Sequence, residues 1–130
     1  MAVRVVRLGT PRSPGEGLRL GTVRRPPRGV KKSDYAKRDY FDLWFPEIAP
    51  SQALLSFANA KPLEGARWDA YKKRYRSEMA KPGPQRVLEL LARLSHHADF
   101  SVGCYCEDES HCHRSILRAL LAERGADIAS

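Results

Sequence analysis

The sequence lacks any long hydrophobic run. None of its apolar stretches approaches the ~20 residues that a membrane-spanning helix requires, so we expect no association with a membrane. Arg4 and Arg7 interrupt the N-terminal segment too early for the apolar region of a secretory signal peptide. We therefore expect a cytoplasmic protein.

Cysteine is also scarce. Three cysteines in 130 residues are too few for a disulfide scaffold, and their odd number leaves at least one free thiol. The length fits one domain, so we predict a single domain over residues 1–130. Hydrophobic residues make up 42% of the chain, which is enough to build a core.

Positive charge is concentrated near the N-terminus. Residues 1–40 contain 11 Lys and Arg against 3 Asp and Glu, whereas residues 41–130 contain 12 of each. The whole net charge of +8 therefore comes from the first 40 residues. This asymmetry favours an anionic partner, either a small molecule or nucleic acid, although a solvated basic surface would have the same composition.

Strand and helix patterns alternate along the chain. Valine-rich or alternating segments predict strands at residues 3–8, 18–24 and 100–104. Helical spacing of apolar residues predicts helices from the N-cap Ser51 to about Asn59, at 64–79, at 85–97, and around 116–121 before Gly125. We therefore predict an α/β fold with a mixed or mostly parallel sheet flanked by helices.

Two groups of aromatic residues are predicted to lie in the core. Trp68, Tyr71 and Tyr75 recur at spacings of three and four, a stripe more typical of core packing than of stacking on nucleobases. The second group comprises Phe41, Trp44 and Phe45.

The most unusual stretch spans residues 103–115. It contains all three cysteines, Cys104, Cys106 and Cys112, and two of the four histidines. It follows a predicted strand and opens a predicted helix, and ligands bind at the carboxyl ends of strands in open α/β sheets. The first turn of a helix also offers free N–H groups and a positive dipole end to an anion.

Cys112, His113 and Arg114 are the candidate functional residues of this stretch. A cysteine at a helix start beside cationic neighbours has a stabilised thiolate, so Cys112 is a candidate nucleophile. His113, or His111, could serve as acid or base near neutral pH. Arg114 can present a planar fork to a phosphate or carboxylate, and Arg118 lies one helical turn further on.

A basic loop supplies a second set of candidate ligand-binding residues. Arg28 and Lys31 carry positive charge, and Gly29 allows backbone N–H groups to approach an anion closely. We predict that Arg28, Gly29 and Lys31 bind the ligand together with Arg114 and Arg118.

The same stretch of cysteines and histidines also permits a metal site. Cys104 and Cys106, followed by His111, Cys112 and His113, supply five soft ligands. Their spacing is tighter than that of structural zinc sites, so our preferred interpretation includes no metal and no cofactor. A structural zinc-binding domain stays an alternative, and Cys104 alone is most simply a small buried hydrophobic residue.

Four short blocks occur along the chain in a characteristic order. They are Pro27-Arg28-Gly29-Val30-Lys31-Lys32, then Ala49-Pro50-Ser51, then Trp68 with Tyr71, Arg74 and Tyr75, and finally Cys104-x-Cys106 with Cys112-His113-Arg114-Ser115. The pattern resembles the bacterial and archaeal DUF488 family (domain of unknown function 488), which includes YeaO-like proteins. The resemblance covers nearly the whole chain and implies a small single-domain α/β protein without an established activity.

The resemblance also implies that the basic loop and the cysteine-rich stretch form two walls of one pocket. Arg28 and Lys31 would then lie near Cys112, His113 and Arg114. The chain departs from YeaO-like members at residues 23–26, where Val-Arg-Arg-Pro replaces an Asp-Arg-Leu-Trp run. This difference makes the expected pocket more basic.

These observations predict an uncharacterised α/β protein with a basic pocket for a phosphate-bearing or other anionic ligand. Cys112 and His113 would be its reactive groups, and a thiol nucleophile could act on a phosphoester, glycosidic or acyl bond. The sequence does not decide between an enzyme and a binding module. The alternatives are a nucleic-acid-binding protein that uses the Arg-rich N-terminal segment, and the zinc-binding domain.

Overall fold

A computed structural model describes residues 1–129. Its strands are β1 (Val3–Arg7), β2 (Leu18–Gly21), β3 (Leu43–Trp44) and β4 (Phe100–Cys104). They form one four-stranded sheet in the order β1-β4-β2-β3, and every pairing is parallel. The α/β prediction is confirmed, and the sheet is fully parallel rather than mixed.

Strand β4 lies between two parallel neighbours. Its Val102 aligns with Val5 of β1 on one side and with Leu20 of β2 on the other. All of its residues are buried. Because parallel strands end at the same edge of a sheet, the loops that follow β1, β2 and β4 start side by side at this edge.

Four α-helices occur within residues 1–129. They are α1 (Gln52–Ala60), α2 (Gly65–Met79), α3 (Pro82–Leu94) and α4 (His113–Glu123). Ser51 caps α1 as predicted, since its Oγ accepts a hydrogen bond of 3.1 Å from the Leu54 N–H. Gly125 follows α4 with a φ of +80°, which suits the glycine predicted there. Within these residues, no helix combines the length and the apolar character needed to cross a bilayer.

The prediction for α3 is wrong at both ends. The helix begins at Pro82 rather than at Gln85, because a proline in the first helical turn loses only an N–H that has no helical partner there. It ends at Leu94 rather than at His97. The His97 N–H donates to the Leu94 carbonyl at 2.9 Å, so residues 95–97 form tighter turns instead of continuing the helix.

The main core lies between the sheet and helices α2, α3 and α4. It joins Val102 of β4 to side chains of the helices, among them Tyr75, Leu88 and Leu117. The buried Tyr75 hydroxyl donates a hydrogen bond of 2.7 Å to the Ile48 carbonyl, so its burial leaves no polar group unpaired. The core prediction for the aromatic stripe is confirmed for Tyr71 and Tyr75, and Trp68 is partly buried against them.

A smaller core lies near the carboxyl edge of the sheet. It comprises Leu8, Val23, Phe41, Cys104 and Cys112. Phe41 is buried as predicted, but the prediction that Trp44 lies in the core is wrong. Trp44 lies on the edge strand β3, is 42% exposed, and donates its indole N–H to the Val23 carbonyl at 2.8 Å.

A buried ion pair connects the loops around β2. Arg19 is 0% exposed, and its guanidinium donates to Glu16 Oε2 at 2.7 Å. It also donates to the carbonyls of Thr10 (2.8 Å) and Asp39 (2.7 Å). Glu16 accepts a further hydrogen bond of 2.7 Å from Ser101 of β4. One charged pair therefore holds two loops and two strands together.

We predict that Glu16→Gln destabilises the fold strongly. The substitution removes the carboxylate that neutralises the buried Arg19, and breaking such a pair costs about 3–5 kcal/mol. Urea unfolding at pH 7 measures the change. The control is Glu89→Gln, an exposed position on α3 where the change should stay below about 0.5 kcal/mol. Equal effects of the two substitutions would contradict the prediction.

The same pair predicts how stability depends on pH. Burial alone raises the pKa of Glu16, but hydrogen bonds from Arg19 and Ser101 outweigh it and lower the pKa from 4.5 to about 2. The stabilisation is therefore complete above the unfolded-state pKa of 4.5 and is lost as the pH falls through about 2. The stability difference between wild type and Glu16→Gln should shrink over this window in acid titrations of unfolding. A difference that stays constant down to pH 2 would argue against this assignment.

Candidate functional site

Three cysteines meet where β4 leads into α4. Cys104 ends β4, Cys106 follows two residues later, and Cys112 is the N-cap residue of α4. Their sulfurs lie within 4.8 Å of one another, and those of Cys104 and Cys112 are 2.8 Å apart. All three are free thiols; Cys104 and Cys112 are buried and Cys106 is exposed. We call these residues the thiol cluster.

The loop between Cys106 and Cys112 is held by its own polar residues. Asp108 accepts a hydrogen bond of 3.0 Å from the Ser110 N–H and caps a short 3-10 turn over Glu109–His111. The Cys112 N–H then donates to the Glu109 carbonyl at 3.1 Å, which turns the chain back toward the end of β4. Arg118 of α4 fastens the loop through a salt bridge of 2.9 Å to Glu109.

The three thiols of the cluster differ in the direction of their pKa shifts. Hydrogen bonds from Cys104 and Cys112 lower the pKa of the Cys106 thiol far below its ordinary value. The hydrogen bond with Cys104 lowers the pKa of Cys112, but its hydrogen bond to Cys106 and its burial outweigh this and raise the pKa to about 11. Hydrogen bonds to its two neighbours, together with burial, raise the pKa of Cys104. Of the three thiols, the exposed Cys106 is therefore the one whose thiolate form is favoured.

His113 is buried beneath the cluster in a defined tautomer. Its Nε2 lies 2.8 Å from the Thr22 carbonyl, which can only accept, so Nε2 carries the proton. Its Nδ1 is therefore an acceptor and lies 3.7 Å from Cys112 Sγ. Burial lowers the pKa of His113 to about 4, so the ring is neutral at pH 7.

Arg114 points into the protein beside the thiol cluster. The residue is 3% exposed, and its Nη2 donates to the Cys106 carbonyl. Its Nε is buried and has no hydrogen-bond partner among the described residues. No carboxylate of the described chain forms a salt bridge with it, because the nearby Glu109 is paired with Arg118. Arg114 is thus a buried cation that forms no salt bridge with a carboxylate of the described residues.

The thiol cluster lies against a cavity of about 610 Å³. The residues that line the cavity include Cys104, Cys106, Cys112 and His113. One wall is apolar and includes Leu55, Ala58, Leu63 and Tyr71. Three arginines, Arg24, Arg25 and Arg28, supply its positive charge.

These arginines differ in how far they are free to bind a ligand. Arg24 donates to the carbonyls of Pro50 (2.9 Å) and Ala49 (3.2 Å), which holds its guanidinium in place. Arg25 donates to Gln52 Oε1 at 3.0 Å. Arg28 is exposed and forms no salt bridge with any residue that the structure describes. Arg28 is therefore the cavity's most available cation.

The structure brings together only part of the residues predicted for the site. Arg28, Cys112 and His113 line the same cavity, whereas exposed Gly29 and Lys31 do not line it. The positive φ of Gly29, +71°, serves the turn itself. Arg118 is engaged by Glu109, and Arg114 lies behind the thiols, so neither guanidinium lines the cavity.

Two residues that line the cavity are less prominent in the sequence-based prediction of the site. Cys106 is the exposed thiol of the cluster, and its position two residues beyond a strand end was the signal for it. His111 also lines the cavity, with its Nδ1 3.2 Å from Asp108 Oδ2 and its ring 5.1 Å from the Trp68 ring. The contact with Asp108 orients the exposed imidazole of His111, a group that can act as a general acid or base.

Comparison with known proteins identifies the family. A family model described as DUF488-N3a, the active DUF488-N3 subclade, matches residues 3–125. No curated protein and no solved structure matches the chain. The matched segment covers all four strands and all four helices given above, and the chain therefore belongs to the DUF488 family, in its DUF488-N3a subclade.

Proposed function

We propose that the cavity binds a small anionic molecule, such as a phosphate ester, and that the thiol cluster reacts with it. The observation that carries this proposal is the placement of Arg28, an unpaired cation, on the same cavity as three thiols. The N-terminus of α4, which begins at this cavity, adds a positive dipole end.

The size and lining of the cavity support a small-molecule ligand. Its volume of about 610 Å³ falls in the range of ~300–1,000 Å³ that is usual for such sites. The apolar wall around Leu55, Leu63 and Tyr71 suits an uncharged or aromatic part of the ligand. Arg28 and Arg25 would hold its anionic part.

Nucleic acid is the weaker candidate because three of the eleven Lys and Arg residues in the N-terminal segment already form salt bridges. Arg12 forms a salt bridge of 2.8 Å with Asp42, Arg19 is buried against Glu16, and Arg7 contacts Glu107 at 3.5 Å. Fewer free cations mean fewer phosphate contacts along a strand, and these contacts supply most of the affinity for nucleic acid.

The proposed chemistry uses Cys106 as nucleophile. An electron pair on its Sγ forms a bond to the electrophilic carbon or phosphorus of the ligand, in an acyl, glycosidic or phosphoester bond. The bond to the leaving group breaks, and the leaving group keeps its electron pair and takes a proton from His111. Water then attacks the intermediate and gives a proton to His111, and the product leaves with regeneration of the thiolate.

The two residues predicted as reactive take positioning roles in this scheme. Cys112 is 2% exposed and would stabilise the Cys106 thiolate through a thiol hydrogen bond. His113 would fix the position of Cys112 by packing against it, while its Nε2 stays committed to the Thr22 carbonyl.

We predict that Arg28→Ala weakens binding of phenyl phosphate, a probe with one aromatic ring and one anionic group. The loss should be about 10–100-fold, because a hydrogen bond to a charged group contributes ~1.5–3 kcal/mol. Isothermal titration calorimetry measures it. Lys32→Ala, an exposed change of equal charge outside the cavity, should have little effect. Equal losses in both variants would indicate only general attraction to a basic surface.

We further predict that iodoacetamide labels Cys106 before the other two cysteines. Cys106 is the exposed thiol, whereas Cys104 and Cys112 are buried. Mass spectrometry of the reduced, chelator-treated protein gives the order of labelling, and Cys106→Ser should remove the fast phase. Phenyl phosphate should slow the reaction of the wild type. Faster labelling of Cys112 would instead support Cys112 as the nucleophile, as the sequence predicts.

A further inference from the structure

We propose that the thiol cluster is a binding site for one thiophilic d¹⁰ metal ion of the Zn²⁺ type, held by three thiolates with one coordination position open to the cavity. The site uses three of the five candidate ligands considered from the sequence, and it goes beyond the proposed binding of an anion.

The positions of the sulfurs suit a common metal ion. A Zn–S bond is ~2.3 Å, so three sulfurs around one ion lie roughly 3.8–4.0 Å apart. The three sulfurs here all lie within 4.8 Å of one another. The 2.8 Å between Cys104 and Cys112 would have to lengthen by about 1 Å. Cys106, on an exposed loop, can move inward.

The ligand set selects a soft metal and leaves a position free. Only sulfur atoms belong to the cluster, and thiolates favour Zn²⁺ and Cu⁺ over Mg²⁺ or Ca²⁺. Neither nitrogen of His113 belongs to the group of ligand atoms that lie within 4.8 Å of one another, and its Nε2 is committed to the Thr22 carbonyl. Three protein ligands with an open fourth position are typical of zinc sites that bind a further molecule. The cavity that the sulfurs line gives such a molecule access.

The charges around the cluster fit an anionic metal–thiolate complex. Three thiolates and one Zn²⁺ carry a net charge of about −1. Arg114 lies buried beside the sulfurs with an unpartnered Nε and no salt bridge to a described carboxylate. A buried cation requires a nearby anion. The metal–thiolate complex would supply it, and the N-terminus of α4 would add to the stabilisation.

Metal binding and nucleophilic attack compete for the same sulfur electron pairs. A metal ion on the thiol cluster would therefore protect Cys106 from alkylation, whereas a ligand held at Arg28 would leave the metal site intact. This separation allows the metal site and the anion site to be tested independently.

The test uses the full chain, reduced and freed of metal by a chelator. Zn²⁺ is titrated against a chromophoric chelator, and Cd²⁺ is added separately to follow the ultraviolet thiolate-to-metal charge-transfer band. We expect one ion per chain, a band from bound thiolates, and slower alkylation of Cys106. Cys106→Ser should weaken Zn²⁺ binding more than about 100-fold, since losing even an outer-shell partner costs 10–100-fold.

The controls distinguish Zn²⁺ binding at this site from nonspecific binding to the protein surface. Cys106 is exposed, so its substitution should leave the fold intact, which circular dichroism checks. His97→Gln removes an exposed imidazole outside the cavity and should not change the affinity for Zn²⁺. Arg28→Ala should retain Zn²⁺ binding while it loses phenyl phosphate binding. Unchanged Zn²⁺ affinity in Cys106→Ser, or the absence of a charge-transfer band, would overturn the proposal whatever the result with phenyl phosphate.

Discussion

The candidate site depends on the parallel pairing of β4 with a strand on each side. This pairing buries β4 completely and makes the chain leave the sheet at Cys104, next to the ends of β1 and β2. The register aligns Gly103 with Gly21, and a Cβ at Gly103 would lie 2.5 Å from the Val6 carbonyl oxygen. The strands can therefore pack this closely only because Gly103 has no side chain. The thiol cluster begins at Cys104, the residue that follows Gly103.

The basic composition of the N-terminal segment has two distinct physical roles. Part of the charge is internal: Arg19 is buried against Glu16 and holds loops around the sheet, and Arg24 is held by backbone carbonyls. Part of it is free, as at Arg28 on the cavity. A net charge of +8 does not distinguish these roles, because both kinds of arginine count equally. The proposed anion site therefore uses far fewer cations than the composition suggests.

Patterns within a few residues of the sequence predicted the strands and helices well. The features that the sequence did not predict depend on contacts between residues that are distant in the sequence. Strand β4, helix α2 and the Ser51 cap follow from periodicity and capping over a few residues. For the candidate site, the sequence pointed to the cysteine-rich stretch and to Arg28 of the basic loop, and residues of both line one cavity. It could not show that Arg114 turns inward, because that depends on how the loop after β4 folds back over α4.

Thr22 links three segments that surround the candidate site. Its hydroxyl donates to the Gly103 carbonyl at 2.9 Å, and its own carbonyl accepts from His113 at 2.8 Å. One buried residue thus joins the end of β2, the end of β4 and the start of α4. Hydrogen bonds therefore hold the backbone next to the thiol cluster, whereas Arg28 and Gly29 lie on an exposed turn. We therefore expect differences in affinity for the proposed anionic ligand to arise at this turn rather than at the thiol cluster.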